Sequence, residues 1–119
     1  PGLVPYDDHI RLLQRSDVHT YLSYPFIASW SLREALACGC AIVAADTPAV
    51  AEFLTDGDNA AVVPPLDPIA LARQVGALLA DDALRQRLGA GARRFAEQAL
   101  RMEDHIAGYE ALIQAVLAR

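Results

Sequence analysis

The chain has 119 residues, 54% of them hydrophobic, and a formal net charge of -5, enough for one domain with a real core. Its scattered basic residues and acidic balance argue against nucleic-acid binding, which rests on dense Lys and Arg contacts to phosphate. No apolar run approaches the roughly 20 residues that span a bilayer, and the start lacks the charged-then-apolar pattern of a signal peptide.

In chain order, Pro1-Gly2-Leu3-Val4-Pro5-Tyr6 reads as the exit from a strand with no strand before it. Asp7 or Asp8 is expected to cap a helix through about Arg15, with Ile10, Leu12 and Leu13 as its apolar contacts. Val18 to Leu22 has strand composition, and Tyr24-Pro25 breaks it. Ser29 or Ser31 is the expected N-cap of a helix to Cys38, with Gly39 where a left-handed residue is favoured. Ala41 to Ala45 is short and continuously apolar, as a strand buried on both faces should be.

Pro48 is expected to open a short helix through Leu54. Asp56-Gly57 marks a turn before a strand at Ala60 to Val63, which Pro64-Pro65 stops. Asp67-Pro68 supplies an N-cap and a first-turn proline for a helix to about Leu79, whose stripe is Leu71, Ala72, Val75, Leu78 and Leu79. Asp81 or Asp82 caps the next helix, to about Phe95. The last runs from about Met102 to Leu117, with Ile106, Tyr109, Leu112, Ile113 and Val116 on one face. Alternating strands and helices predict an α/β fold with parallel pairing, in which ligands bind beyond the carboxyl ends of the strands.

The stretch from Tyr21 to Asp46 carries the chemistry. A loop entering a helix N-terminus presents unpaired N–H groups and the positive end of the helix dipole, a site suited to phosphate. Ser29, Trp30 and Ser31 would offer those amides, and plain N-capping is the competing reading of the two serines. Glu34, one turn on, reads by itself as a solvent-facing helical residue; behind a phosphate-type loop it can accept hydrogen bonds from the hydroxyls of a ribose, and the pattern suggests a nucleotide-type ligand. Cys38 and Cys40 have a one-residue spacing and no nearby His, which speaks for two small buried thiols and against a metal site. His9, His19 and His105 are widely spaced and read as structural or exposed.

Glu34-Ala35-Leu36-Ala37-Cys38-Gly39, then Asp46-Thr47-Pro48, Glu52, Asp56-Gly57, Asn59 and Val62-Val63-Pro64-Pro65, resembles the C-terminal domain of family 4 (group 1) retaining glycosyltransferases. The resemblance runs through nearly the whole chain in the correct order. It implies a Rossmann-like parallel sheet flanked by helices, part of the C-terminal domain of the two-domain GT-B architecture. The acceptor-binding N-terminal domain would then be missing from residues 1–119, and the last helix would pack toward it. The resemblance gives Glu34 the ribose, and Ser29, Trp30 and Ser31 the diphosphate. Val4 and Pro5 would flank the base, although an ordinary surface turn fits them equally well.

The family has a second glutamate, contacting the donor sugar, at the position held here by Phe26. Phe26 reads first as a core residue, and by the resemblance as a neighbour of the donor sugar. The implied partners are a nucleoside-diphosphate sugar and an acceptor hydroxyl, without cofactor or metal. The implied location is cytoplasmic or peripheral at the inner membrane face. The alternatives are a non-catalytic nucleotide-sugar-binding module and an unrelated Rossmann-like interaction domain.

Overall fold

The computed structural model describes residues 2–24 and 27–118. Among these residues the elements are α1 (Tyr6–Arg15), β1 (His19–Tyr21), α2 (Trp30–Cys38), β2 (Ile42–Ala45), β3 (Ala61–Val63), α3 (Pro68–Ala80), α4 (Asp82–Ala99) and α5 (Met102–Leu117). The three strands pair in parallel in chain order, with Thr20 opposite Val43 and Ala44 opposite Val62. β2 is central and buried along its length, which is why its apolar run is unbroken. The strand period of two divides it between two cores. Ile42 and Ala44 join Leu13, Leu32, Leu36 and Ala92, whereas Val43 joins Leu78 and Leu88. Helices therefore cover both faces of the sheet, and the α/β expectation holds.

Local chemistry explains most boundaries. Gly39 ends α2 at φ 70°, a conformation that costs glycine little. Asp67 accepts from the amides of Ile69 and Ala70 ahead of α3, and Asp81 accepts from Leu84 ahead of α4. Arg85 Nη1 donates to the carbonyls of Leu78 and Leu79 at 2.6 and 2.8 Å, satisfying the end of α3. Asn59, 2% exposed, accepts from the Thr55 amide at 2.7 Å and donates to the Phe53 carbonyl at 2.8 Å, which holds the loop before β3.

Four expectations are corrected. α1 starts at Tyr6 behind Pro5 with no side-chain cap, so Asp7 and Asp8 lie in its first turn, where they meet the helix dipole. Pro48 to Leu54 forms turns instead of a helix. Val50 and Ala51 donate to the Thr47 carbonyl, Phe53 and Leu54 to the Val50 carbonyl, and so short a segment does not offset the cost of helix nucleation. α4 continues to Ala99, past Phe95, because Ala92 and Ala96 on the same face still reach the core. On α3, Leu78 alone is buried, while Ala72 and Leu79 are exposed.

α5 has the expected bounds and buries none of its residues. Its apolar face, Ile106, Tyr109, Leu112, Ile113 and Val116, is at least half exposed throughout.

Candidate functional site

The loop leaving β1 and the N-terminus of α2 form the site. Ser29 occupies the N-cap position in an extended conformation, but its hydroxyl makes no capping bond. That hydroxyl pairs with the Ser31 hydroxyl at 2.6 Å, and the Ser29 amide donates to the Tyr21 phenol oxygen at 3.0 Å. Of the three amides expected to face an anion, the one at Ser29 is thus engaged within the protein. The amides of Trp30 and Ser31 have no hydrogen-bond partner among the described residues. They open the helix, where the dipole adds partial positive charge.

Tyr21 is 6% exposed, and its buried ring sets the phenol as a strut beneath the loop. Phe26 lies outside the described residues. Trp30 is exposed, with the Arg33 guanidinium 5.5 Å from its ring centre. The same guanidinium sits 4.8 Å from the Phe53 ring centre and donates to the Ala28 carbonyl at 3.0 Å. Arg33 therefore braces the loop against the turns that follow β2.

Two cavities reach the carboxyl ends of the strands, the smaller one also running along β1 from His19. One, about 470 Å³, has Tyr21, Ser23, Tyr24, Ile27, Ser29 and Ser31 among its walls. The other, about 730 Å³ and mostly apolar, lies over the ends of β2 and β3 between Thr47, Pro48, Pro65 and Leu71. They share Leu22, Ser23 and Tyr24. Glu34, Trp30, Val4 and Pro5 line neither of them.

Glu34 instead faces α1. Its Oε2 is 3.1 Å from His9 Nε2, with the carboxylate side chain 24% and the imidazole 38% exposed. Tyr6, one turn before His9, lies near the same carboxylate, whose proximity raises the pKa of the phenol. Trp30 and Glu34 are four residues apart on one helix, about 6 Å along its axis. The segment holding Val4 (half-buried) and Pro5 (exposed) leads directly into Tyr6 and so ends beside this carboxylate. Sequence reasoning missed Tyr6 and His9. Their i, i+3 spacing directly after the Val4-Pro5 segment was the available signal, since such residues share a helix face.

Burial raises the Cys40 thiol pKa to about 11, so it stays protonated and donates to the Leu13 carbonyl at 3.4 Å. Among the described residues no three His, Cys, Asp or Glu side chains gather as a metal site, and no helix is long and apolar enough to cross a membrane. Burial, followed by the nearby His9, lowers the pKa of His19. The folded chain then binds fewer protons than the unfolded one below the unfolded value of about 6.5. Stability should fall as pH drops through that value, and levels off once the folded-state pKa is passed. His19→Gln should flatten this part of the curve in urea titrations between about pH 7 and 5; an unchanged slope would assign it to other groups.

Comparisons with known proteins bear on the fold and the family. A D-inositol 3-phosphate glycosyltransferase of Xylanimonas cellulosilytica is 48% identical over 60 residues, which is 50% of this chain and 14% of that protein. Among solved structures, the sucrose-phosphate synthase of Thermosynechococcus elongatus superposes with a TM-score of 0.91 at 23% identity, over 99% of this chain and 30% of that one. Anabaena HepE in complex with UDP has a TM-score of 0.75 at 21% identity, over 91% of this chain and 29% of its own. The two structures establish a shared fold, that of GT-B glycosyltransferases, and this chain spans less than a third of the length of each of these three proteins. The sequence profile described as glycosyl transferases group 1 matches residues 1–95, and the chain belongs to that family.

Proposed function

We propose that residues 1–119 are the donor-binding, C-terminal part of a family 4 retaining glycosyltransferase, moving a sugar from a nucleoside diphosphate to an acceptor hydroxyl. One observation carries this reading: the amides of Trp30 and Ser31, without a partner among the described residues, open α2 at the carboxyl end of a parallel sheet, one helical turn from Glu34. The amides and the Ser29 and Ser31 hydroxyls would hold the diphosphate, and Glu34 the ribose. Val4 and Pro5 would flank the base, and Phe26 would shape the space around the donor sugar. The ligand would then run from the smaller cavity along α2 toward α1.

As the bond to the anomeric carbon breaks, negative charge grows on the diphosphate, and fixed amides at a helix N-terminus stabilise it. In a retaining reaction that diphosphate also assists the acceptor's attack on the same face. The sugar nucleotide is substrate here, and the reading invokes no resident cofactor or metal. Acceptor binding belongs to an N-terminal domain outside these residues, so the chain by itself should transfer no sugar. Work at the inner membrane face, from the cytoplasm, fits such a protein.

UDP is the first ligand to test, because HepE, with the same fold, was solved with UDP and with UDP-glucose. Glu34→Ala removes charge-assisted hydrogen bonds worth about 1.5–3 kcal/mol each and should weaken UDP binding at least tenfold by calorimetry. Unchanged affinity in a folded variant takes Glu34 out of the site. A second reading, a non-catalytic nucleotide-sugar-binding module, draws on the aromatic Phe26 in place of the family's sugar-contacting carboxylate. Sugar transfer by the full-length protein would exclude it.

A further inference from the structure

A half-buried carboxylate that still samples several rotamers must be ordered when a ligand binds, and that ordering costs affinity. The structure answers this from α1. His9 Nε2 stands 3.1 Å from Glu34 Oε2, and Tyr6, one turn earlier, approaches the same group. For Nε2–H to donate, the imidazole is either the Nε2–H tautomer or the cation.

This pair is not what joins the two helices. Leu13, with Ile10 packed against the same cluster, already ties α1 to Leu32 and Leu36 of α2. His9 and Glu34 lie outside that core, half-buried, at the end of α1 where the Val4-Pro5 segment arrives. A partly exposed pair of this kind adds little to stability, so its consequence lies in where it holds the carboxylate.

We propose that His9 is a positioning residue for Glu34, holding Oε2 against α1 so that the carboxylate is oriented in advance for the vicinal hydroxyls of a ribose. This rests on the donor-binding reading above. The same contact links the segment before α1 to the ligand: base, ribose and diphosphate would meet Val4-Pro5, Glu34 and the α2 amides in that order. Because Glu34 is shared between His9 and the ligand, the effect of His9 must pass through the ribose hydroxyls and through no other part of the nucleotide.

That condition supplies the test. Calorimetric titrations would compare UDP with 2′,3′-dideoxyuridine diphosphate on the wild-type chain and on His9→Ala, His9→Gln and Glu34→Ala, each checked for folding by thermal melting. His9→Ala should weaken UDP binding about threefold to tenfold, the range expected for one lost hydrogen bond, and alter dideoxy binding less than about twofold. His9→Gln keeps an N–H donor within reach and should restore UDP affinity to within about twofold of wild type. Equal weakening of both ligands by His9→Ala would make its role structural and overturn the proposal, as would no effect on either. If Glu34→Ala separates the two ligands and His9→Ala does not, the role of His9 alone falls. If Glu34→Ala fails to separate them, or UDP does not bind, the ribose assignment falls and this inference with it.

Discussion

Gly91→Ala should destabilise the fold by about 3 kcal/mol, a fall of about 10 °C or more in the unfolding midpoint. Helix propensity alone gives the opposite sign, because alanine in a helix interior is favoured over glycine by roughly 0.5–1 kcal/mol. Packing decides between the two. A Cβ on Gly91 would lie 2.1 Å from the Asp58 carbonyl oxygen and 3.2 Å from the Asn59 Cα. One on Gly89 would lie 2.4 Å from the Gly39 carbonyl oxygen.

Neither obstacle can retreat easily. Asp58 belongs to the loop that the Asn59 side chain ties to Thr55 and Phe53. Gly39 is held at a left-handed turn by amide bonds to the end of α2. Gly89→Ala should therefore be destabilising as well. Gly76, on an exposed part of α3 with nothing within 4 Å of an added Cβ, serves as the control. Gly76→Ala should gain about 0.5–1 kcal/mol. Denaturant unfolding of the three variants is the measurement, and a Gly91→Ala protein as stable as wild type would show that α4 can shift away without cost.

Leu32→Ala should cost about 3 kcal/mol in the same assay, within the roughly 2–5 kcal/mol seen for fully buried leucines. Leu32 is 0% exposed and follows Trp30 and Ser31 in the first turn of α2, on the face that packs against Ile42, Leu36 and Ala92. Its removal leaves a cavity directly under the first turn of α2. The collapse of neighbours into that space is incomplete, and this adds a cavity term to the lost transfer energy. On the proposed function, nucleotide affinity measured on the folded fraction should fall less than for Glu34→Ala, since the groups proposed to hold the nucleotide all remain. A Leu32→Ala variant that keeps wild-type stability would mean that α2 is anchored elsewhere.

Periodicity and turn chemistry were enough to read most of the architecture from residues alone. The unbroken run Ala41 to Ala45 marked the strand found at Ile42–Ala45, Asp67-Pro68 marked the start of α3, and Gly39 marked the end of α2. The two cap signals are local and depend on backbone geometry within a few residues, whereas the apolar run reflects burial on both faces of the sheet. The order of motifs around Glu34 likewise pointed to group 1 glycosyltransferases, the family whose profile matches residues 1–95. That kind of reasoning failed at Pro48, as it did at the start of α1, the end of α4 and the buried face of α3. Proline favours the first position of a helix but cannot supply the length that a stable helix needs.

What only the tertiary structure decided are the contacts made across the chain. That Gly89 and Gly91 admit no side chain follows from where Gly39 and Asp58 lie, some 50 and 33 residues away in sequence, an order of separation at which local propensity carries no information. That the Ser29 amide is spent on the Tyr21 phenol depends on a buried ring eight residues earlier. That Glu34 meets His9 depends on α1 packing beside α2, 25 positions apart. Short-range backbone preferences are written residue by residue, whereas a pairing across the core exists only once burial of Leu13, Leu32 and Ile42 has brought the elements together.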